Sequence, residues 1–223
     1  MPDVVLLCVE EDAFRDRYDD YRRLVASDKQ ERLDRFRFFA DAQRSLLGDL
    51  LARVLICERT GLRNETLLFG VNAYGKPLFE NDKHVHFNVS HSGKYIVCGI
   101  DDAPVGIDIE CIQAANTDLA RRFFAPAEIE YIVHAPAKDQ AMRFYQIWTQ
   151  KESYIKWQGM GLAKSLPSFS VLNEGDEVFY HLVFRNHEAI CHVCTEKAVA
   201  PVCKVLEQEE FAAKVSLIQS RKG

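Results

Sequence analysis

Two short clusters in this chain combine residue types that do chemistry together. Trp148, Glu152 and Lys156 are spaced by four. On a helix that spacing stacks an indole, a carboxylate and an ammonium along one face. Asp108 and Glu110 are spaced by two, among Val105, Ile107 and Ile109. On a strand the two carboxylates share one face while the aliphatic residues take the other. Where such a polar face looks at such a helix, three carboxylates meet a lysine. That is a donor set for a hard divalent cation, beside a base and a phosphate-stabilising cation. The same patterns also describe a solvated Glu–Lys pair and an edge strand with a wet face, and spacing alone leaves both readings open.

The elements around them follow from periodicity. Val4-Val5-Leu6-Leu7-Cys8-Val9 reads as a buried first strand. A long helical pattern, in one or two pieces, runs from about Asp28 to Arg59, with Ser27 and Gln30 spaced as a capping box and Gly61 as its stop. Leu46, Leu47, Leu50, Leu51 and Val54 give it an apolar stripe, and Lys29, Arg32 and Arg44 lie on its polar side. Asn72-Ala73-Tyr74-Gly75-Lys76-Pro77 is turn chemistry that leaves Lys76 projecting. Val85, Phe87 and Val89 alternate with polar residues up to His91-Ser92-Gly93, and Tyr95 to Ile100 reads as the return strand.

Asp101-Asp102-Ala103-Pro104 is the internal boundary, dividing the chain into 1–103 and 104–223. Past the Asp108/Glu110 strand, short helices are expected at Asp118–Phe124 and Ala127–His134. A central helix follows to about Trp157, capped by Asp139 and ended by Gly159 and Gly161. Strands are expected near Phe169–Val171, Val178–Arg185, Ala189–Thr195 and Val199–Leu206, with a turn at Glu174-Gly175-Asp176. The tail from Glu207 fits helix and strand equally.

Composition sets outer bounds. At 223 residues, 48% hydrophobic and 27% charged, the chain suits one soluble domain or two small ones. A net charge of −5 argues against general nucleic-acid binding. No segment approaches the roughly 20 apolar residues that span a bilayer. The first apolar run has no basic residue before it and is followed by Glu10, Glu11 and Asp12, which points to a cytoplasmic protein without membrane attachment. Seven scattered cysteines fit free thiols in a reducing compartment. Cys191 and Cys194 flank His192 without a second ligand pair at zinc spacing, so they read as structural thiols.

Four motifs change the weight of these readings. Trp148-Thr149-Gln150-Lys151-Glu152 resembles the W-[ST]-x-K-E signature of 4'-phosphopantetheinyl transferases, and Gly106-Ile107-Asp108-Ile109-Glu110 resembles their G-[IV]-D-[IV]-E signature, in the same order and at similar separation. Gly75-Lys76-Pro77 and Asn88-Val89-Ser90-His91-Ser92 are similar to two further family elements. The resemblance spans Asp28 to Val171 and is closest to the longer, monomeric Sfp-type enzymes.

It implies an α+β fold of two similar α/β halves related by pseudo-twofold symmetry, with the active site at their interface. It implies Mg²⁺-dependent transfer of 4'-phosphopantetheine from coenzyme A to a serine of an apo acyl or peptidyl carrier protein, releasing adenosine 3',5'-bisphosphate. Asp108, Glu110 and Glu152 are the expected metal ligands, for Mg²⁺ or Mn²⁺. Glu152 and Lys156 are the expected catalytic groups, and whether Glu152 or a metal-held water takes the serine proton stays open. Arg44, Lys76, Ser90 and His91, with Lys29 and Lys151 less firmly, are expected at the coenzyme. Arg121, Arg122, Phe123, Phe124 and Met160 are candidates for the transient carrier contact, with core phenylalanines and solvated arginines as the alternative. Two rivals remain at this point: a non-catalytic protein that binds coenzyme A or carrier, and another metal-dependent pyrophosphate-cleaving enzyme.

Overall fold

Two long helices, each lying on its own β-sheet, frame the molecule. The computed structural model describes residues 2–10, 12–161, 164–172, 178–183 and 188–220, with Thr117, Val183 and Ser220 described by their backbone alone. Strand β1 (Asp3–Cys8) leads into the short helices α1 (Tyr18–Arg22) and α2 (Ser27–Leu33) and the 22-residue α3 (Phe39–Thr60). Strands β2 (Phe69–Val71), β3 (Pro77–Phe79), β4 (His86–Ser92), β5 (Tyr95–Asp101) and β6 (Val105–Cys111) follow. Then come α4 (Thr117–Phe123), α5 (Pro126–Val133) and the 22-residue α6 (Ala137–Gln158). Strands β7 (Val178–Val183), β8 (Ala189–Thr195) and β9 (Val202–Leu206) precede the last helix, α7 (Gln208–Ser220). Helix and sheet are mixed as in an α+β protein.

The first sheet has the order β4-β5-β1-β9, the second β6-β8-β7, and β2 and β3 form a hairpin. Strand alternation sorts the layers. Val5 and Leu7 of β1 face Leu46, Leu47 and Leu50 of α3 and Phe211 and Val215 of α7. Val4 and Leu6 point the other way, into a second core with Val97, Val105, Ile107, Ile109 and Val193. The two sheets therefore lie back to back between α3 and α6. Each aliphatic side chain buried there contributes about 1.5–3 kcal/mol.

The far face of β6 carries Gly106, Asp108 and Glu110 beneath α6. A Cβ on Gly106 would lie 1.9 Å from the carbonyl oxygen of Ser153, so only glycine lets the helix settle on this strand. The two sheets are also tied at their edges. Asn88 Oδ1 accepts from Ile107 N at 2.8 Å, Ser90 Oγ from Ile109 N at 3.4 Å and Ser92 Oγ from Cys111 N at 3.1 Å. Every second side chain of β4 thus does for β6 what a neighbouring backbone would do, which satisfies the edge of β6.

The long helical pattern comes in two pieces, as its sequence allows, breaking after Leu33 and resuming at Phe39. Several expectations need correction. Ser27 is no cap: Ala26 holds that position and the Gln30 amide donates to Val25 O at 2.9 Å instead. Pro136, not Asp139, precedes α6, and Asp139 sits in its first turn, where the helix dipole favours an acid. Phe169–Val171 is not a strand. The turn at Glu174–Asp176 lies outside the described residues. The tail resolves as helix α7. Strand β9 leaves the second half altogether and pairs in parallel with β1, Val4 opposite Cys203 and Leu6 opposite Val205. Residues 202–220, though they follow the 103/104 division in sequence, therefore pack with the first half. No helix among the described residues is long and apolar enough to cross a membrane.

Candidate active site

One cavity of about 350 Å³ opens where β4, β6 and α6 converge, lined by Val89, Ser90, His91, Asp108, Glu110, Trp148, Glu152 and Lys156. Strand alternation delivers Asp108 and Glu110, and the helical repeat delivers Trp148, Glu152 and Lys156. Lys156 Nζ lies 2.5 Å from Asp108 Oδ1 and 3.1 Å from Ser90 Oγ, and Ser90 Oγ donates to Asp108 Oδ1 at 2.9 Å. Glu110 accepts from Ser92 Oγ at 2.7 Å and from the Trp148 indole.

The cavity is short of positive charge. Burial pushes the Glu110 and Glu152 carboxyls above their ordinary range, and the Asp108 carboxylate adds to both. Asp108 is 4% exposed, and its Oδ2 is buried with no hydrogen-bond partner. An anionic oxygen in that state is costly unless something cationic meets it. A hard divalent ion fits this oxygen-only donor set. Among the described residues no three acidic, histidine or cysteine side chains are already gathered closely enough to hold one. Asp108 is instead engaged with Lys156, so side-chain movement would have to bring three oxygens to one point.

A second cavity of about 440 Å³ adjoins the first and shares Val89 and His91 with it. Lys29, Arg32 and Arg53 supply its positive charge against Asp28 and Asp49, and Phe69, Val71, Pro77 and Phe87 its apolar wall. Lys29 Nζ donates to Ser45 Oγ at 3.0 Å, and burial draws its pKa below that of a free lysine. His91 is lowered too, first by desolvation and then by the Arg44 cation. Arg44 is ion-paired with Asp41 and donates to Gly93 O at 3.3 Å.

Two expected coenzyme contacts are placed elsewhere. Lys151 is 1% exposed on another side of α6, 2.8 Å from the fully buried Glu128 carboxylate. It also donates to Leu166 O and Phe169 O at 2.9 and 2.6 Å. It cannot meet a phosphate from there, because Glu128 would be left charged and unpaired. Lys76 does not project freely. Its ammonium reaches Val105 O at 3.1 Å and Trp157 O at 3.5 Å, and burial lowers its pKa to about 8. Meeting a nucleotide would require it to leave those carbonyls. Of the carrier candidates, Phe124 is core at 2% exposed, packed with Phe144 and Trp148. Arg121 is open to solvent, while Phe123 is partly buried against Trp148.

Sequence reasoning missed Asn88 and Ser92 as the ties between sheets. It missed Thr149 as well, whose hydroxyl donates to Tyr145 O at 2.7 Å and lies 2.7 Å from Nδ1 of buried His192. The polar residues at every second place in β4 were the available signal for the ties; the His192 contact had none.

Comparison with known proteins gives the family. The family model described as the 4'-phosphopantetheinyl transferase superfamily matches residues 104–214, and that described as 4'-phosphopantetheinyl transferase, N-terminal, matches residues 12–101. A 4'-phosphopantetheinyl transferase of Bacillus subtilis is 42% identical over 152 residues, 68% of each chain. The transferase psf-1 of Bacillus pumilus is 38% identical over 182 residues, 81% of this chain and 77% of its own. The transferase Sfp of Bacillus subtilis strain 168 is 38% identical over 151 residues, 68% of this chain and 67% of its own. The chain belongs to the 4'-phosphopantetheinyl transferase family and is an enzyme of that class. Within the family it is of the Sfp type.

Proposed function

We propose that the enzyme transfers the 4'-phosphopantetheine group of coenzyme A to a serine hydroxyl of an apo acyl or peptidyl carrier protein, with Mg²⁺ or Mn²⁺ bound. The observation that carries this reading is the unpartnered Oδ2 of Asp108 in a cavity shared with Glu110, Glu152 and Lys156. Asp108, Glu110 and Glu152 would hold the ion. When bound, it offsets the negative charge of the pyrophosphate.

The remaining work falls to side chains. The serine oxygen attacks the β-phosphorus of coenzyme A, the bond from that phosphorus to the bridging oxygen breaks, and adenosine 3',5'-bisphosphate leaves. The serine proton goes to Glu152, directly or through a water that it holds. Lys156 moves from Asp108 to the phosphates as a point charge. Ser90, His91 and Arg44 hold the pyrophosphate end, and the adjoining cavity with Lys29 takes the nucleotide. The carrier docks over Arg121, Arg122, Phe123 and Met160.

The chain acts as a monomer in this reading, since both walls of the site come from one polypeptide. We also read the halves as related by a pseudo-twofold axis. Support comes from each half laying a 22-residue helix on a sheet. Superposing α3 with its strands on α6 with its strands should then need one rotation near 180°, and any other rotation removes the idea.

The test is to incubate the protein with Mg²⁺, coenzyme A and an apo carrier and to weigh the carrier. A phosphopantetheine increment that EDTA abolishes supports the proposal. Binding without an increment, or nucleotide release without carrier, refutes it.

A further inference from the structure

The turn between β2 and β3 closes the C-terminal end of α6, although the two lie in different halves of the chain. The last carbonyls of a helix have no donor within it. Here Ile155 O accepts from Gly159 N at 2.9 Å. The Trp157 carbonyl faces Lys76 Nζ at 3.5 Å, and the Gly159 carbonyl accepts from Asn72 Nδ2 at 2.6 Å. The same Lys76 ammonium donates to Val105 O at 3.1 Å, at the start of β6. One turn therefore grips the two elements that carry Asp108, Glu110, Glu152 and Lys156, and it sets a cation at the negative end of the helix dipole.

The turn is stiff enough for such a task. Asn72 Oδ1 accepts from both Tyr74 N and Lys76 N at 2.9 Å, and Asn72 N donates to Lys76 O at 3.0 Å. Gly75 supplies the left-handed corner at φ 85°. Gly159 is shaped to it, with φ 68° and room for no Cβ, which would come 2.9 Å from Asn72 Nδ2.

We infer that Asn72 is a positioning residue for the transfer reaction: its side-chain amide clasps the end of α6 and, with Lys76, holds Glu152 and Lys156 in register with the carboxylates of β6. The inference rests on the roles proposed above for those residues. Displacing catalytic groups by about 1 Å can cost up to about 10²-fold in rate without touching the chemistry directly.

Asn72→Asp separates the clasp from the turn. It keeps the oxygen that organises Tyr74 N and Lys76 N but turns an acceptor toward Gly159 O. Asn72→Ala removes both. Wild type and variants are compared by steady-state carrier modification and by hydrogen–deuterium exchange over residues 150–160. Both variants should lose about 10- to 10²-fold in kcat. Their KM for coenzyme A should stay within about twofold, and residues 150–160 should exchange faster. If Asn72→Ala does not fold, Asn72→Asp carries the test, and Gly159→Ala should reproduce its split between kcat and KM. Wild-type kcat, or wild-type exchange, in Asn72→Asp overturns the inference. Should the wild-type chain transfer nothing, the functional proposal fails by itself, and the exchange comparison still decides the clasp.

Discussion

Lys151→Met should destabilise the protein without disabling the chemistry. The substitution keeps most of the length of the side chain and deletes its charge. Left behind is Glu128, 0% exposed, whose Oε2 then keeps only Ala125 N at 2.8 Å and whose Oε1 keeps Val171 N at 2.8 Å. Carbonyls of Leu166 and Phe169 lose their donor, and the Phe169 ring loses an ammonium 4.1 Å from its centroid. Breaking a buried pair from one side costs about 3–5 kcal/mol. For a chain of this size that is a drop of roughly 6–20 °C in Tm. Adding Glu128→Gln removes the stranded charge and should recover part of the loss. Urea melts at pH 7 read the stabilities, and carrier modification at low temperature reads the folded enzyme. The folded fraction should retain kcat within about threefold of wild type, because Lys151 touches nothing in the cavity. Wild-type stability combined with a collapsed kcat would return Lys151 to the active site and refute the reasoning.

Three further outcomes are expected. Glu152→Gln should fall by at least roughly 10² in kcat while coenzyme A still binds in calorimetry; a near-normal kcat would remove Glu152 as the base. Millimolar MgCl₂ should raise the Tm of the wild type, since a ligand of the native state stabilises it, and Asp108→Asn should abolish most of that rise; an equal rise in both would move the ion elsewhere. Acid should weaken the fold through His192, whose pKa burial and His181 press down to about 3. Between that value and the ordinary value of about 6.5 the unfolded chain binds the extra proton, so stability is full above about pH 6.5 and declines by up to about 1.4 kcal/mol per pH unit below it. Urea midpoints at pH 7 and pH 5 should differ less in His192→Gln than in wild type.

The cavity was legible because its donors follow local rules. A period of two puts Asp108 with Glu110, and a period of four puts Trp148, Glu152 and Lys156 on one stripe. The same rule could have excluded Lys151, which stands about 100° around the helix from Glu152. What a single strand of text does not carry is pairing between distant segments. Nothing in Val202–Leu206 says that it will lie beside β1, and nothing in Asn72 says that its partner is Gly159. The ammoniums of Lys76, Lys151 and Lys156 are equivalent as letters. Only the tertiary arrangement gives one to carbonyls, one to a buried acid and one to the cavity.

The return of β9 to the first sheet has a consequence for how the molecule is made. During synthesis β1 emerges early and finds β5 on one side, yet its other edge stays open until residues 202–206 leave the ribosome. The first half therefore waits for the second as an unfinished sheet, exposed to stray pairing in the meantime. A gene cut at the 103/104 boundary should yield sticky fragments. A cut that leaves β9 and α7 covalently attached ahead of β1, as in a circular permutant, should let that body form first and unaided.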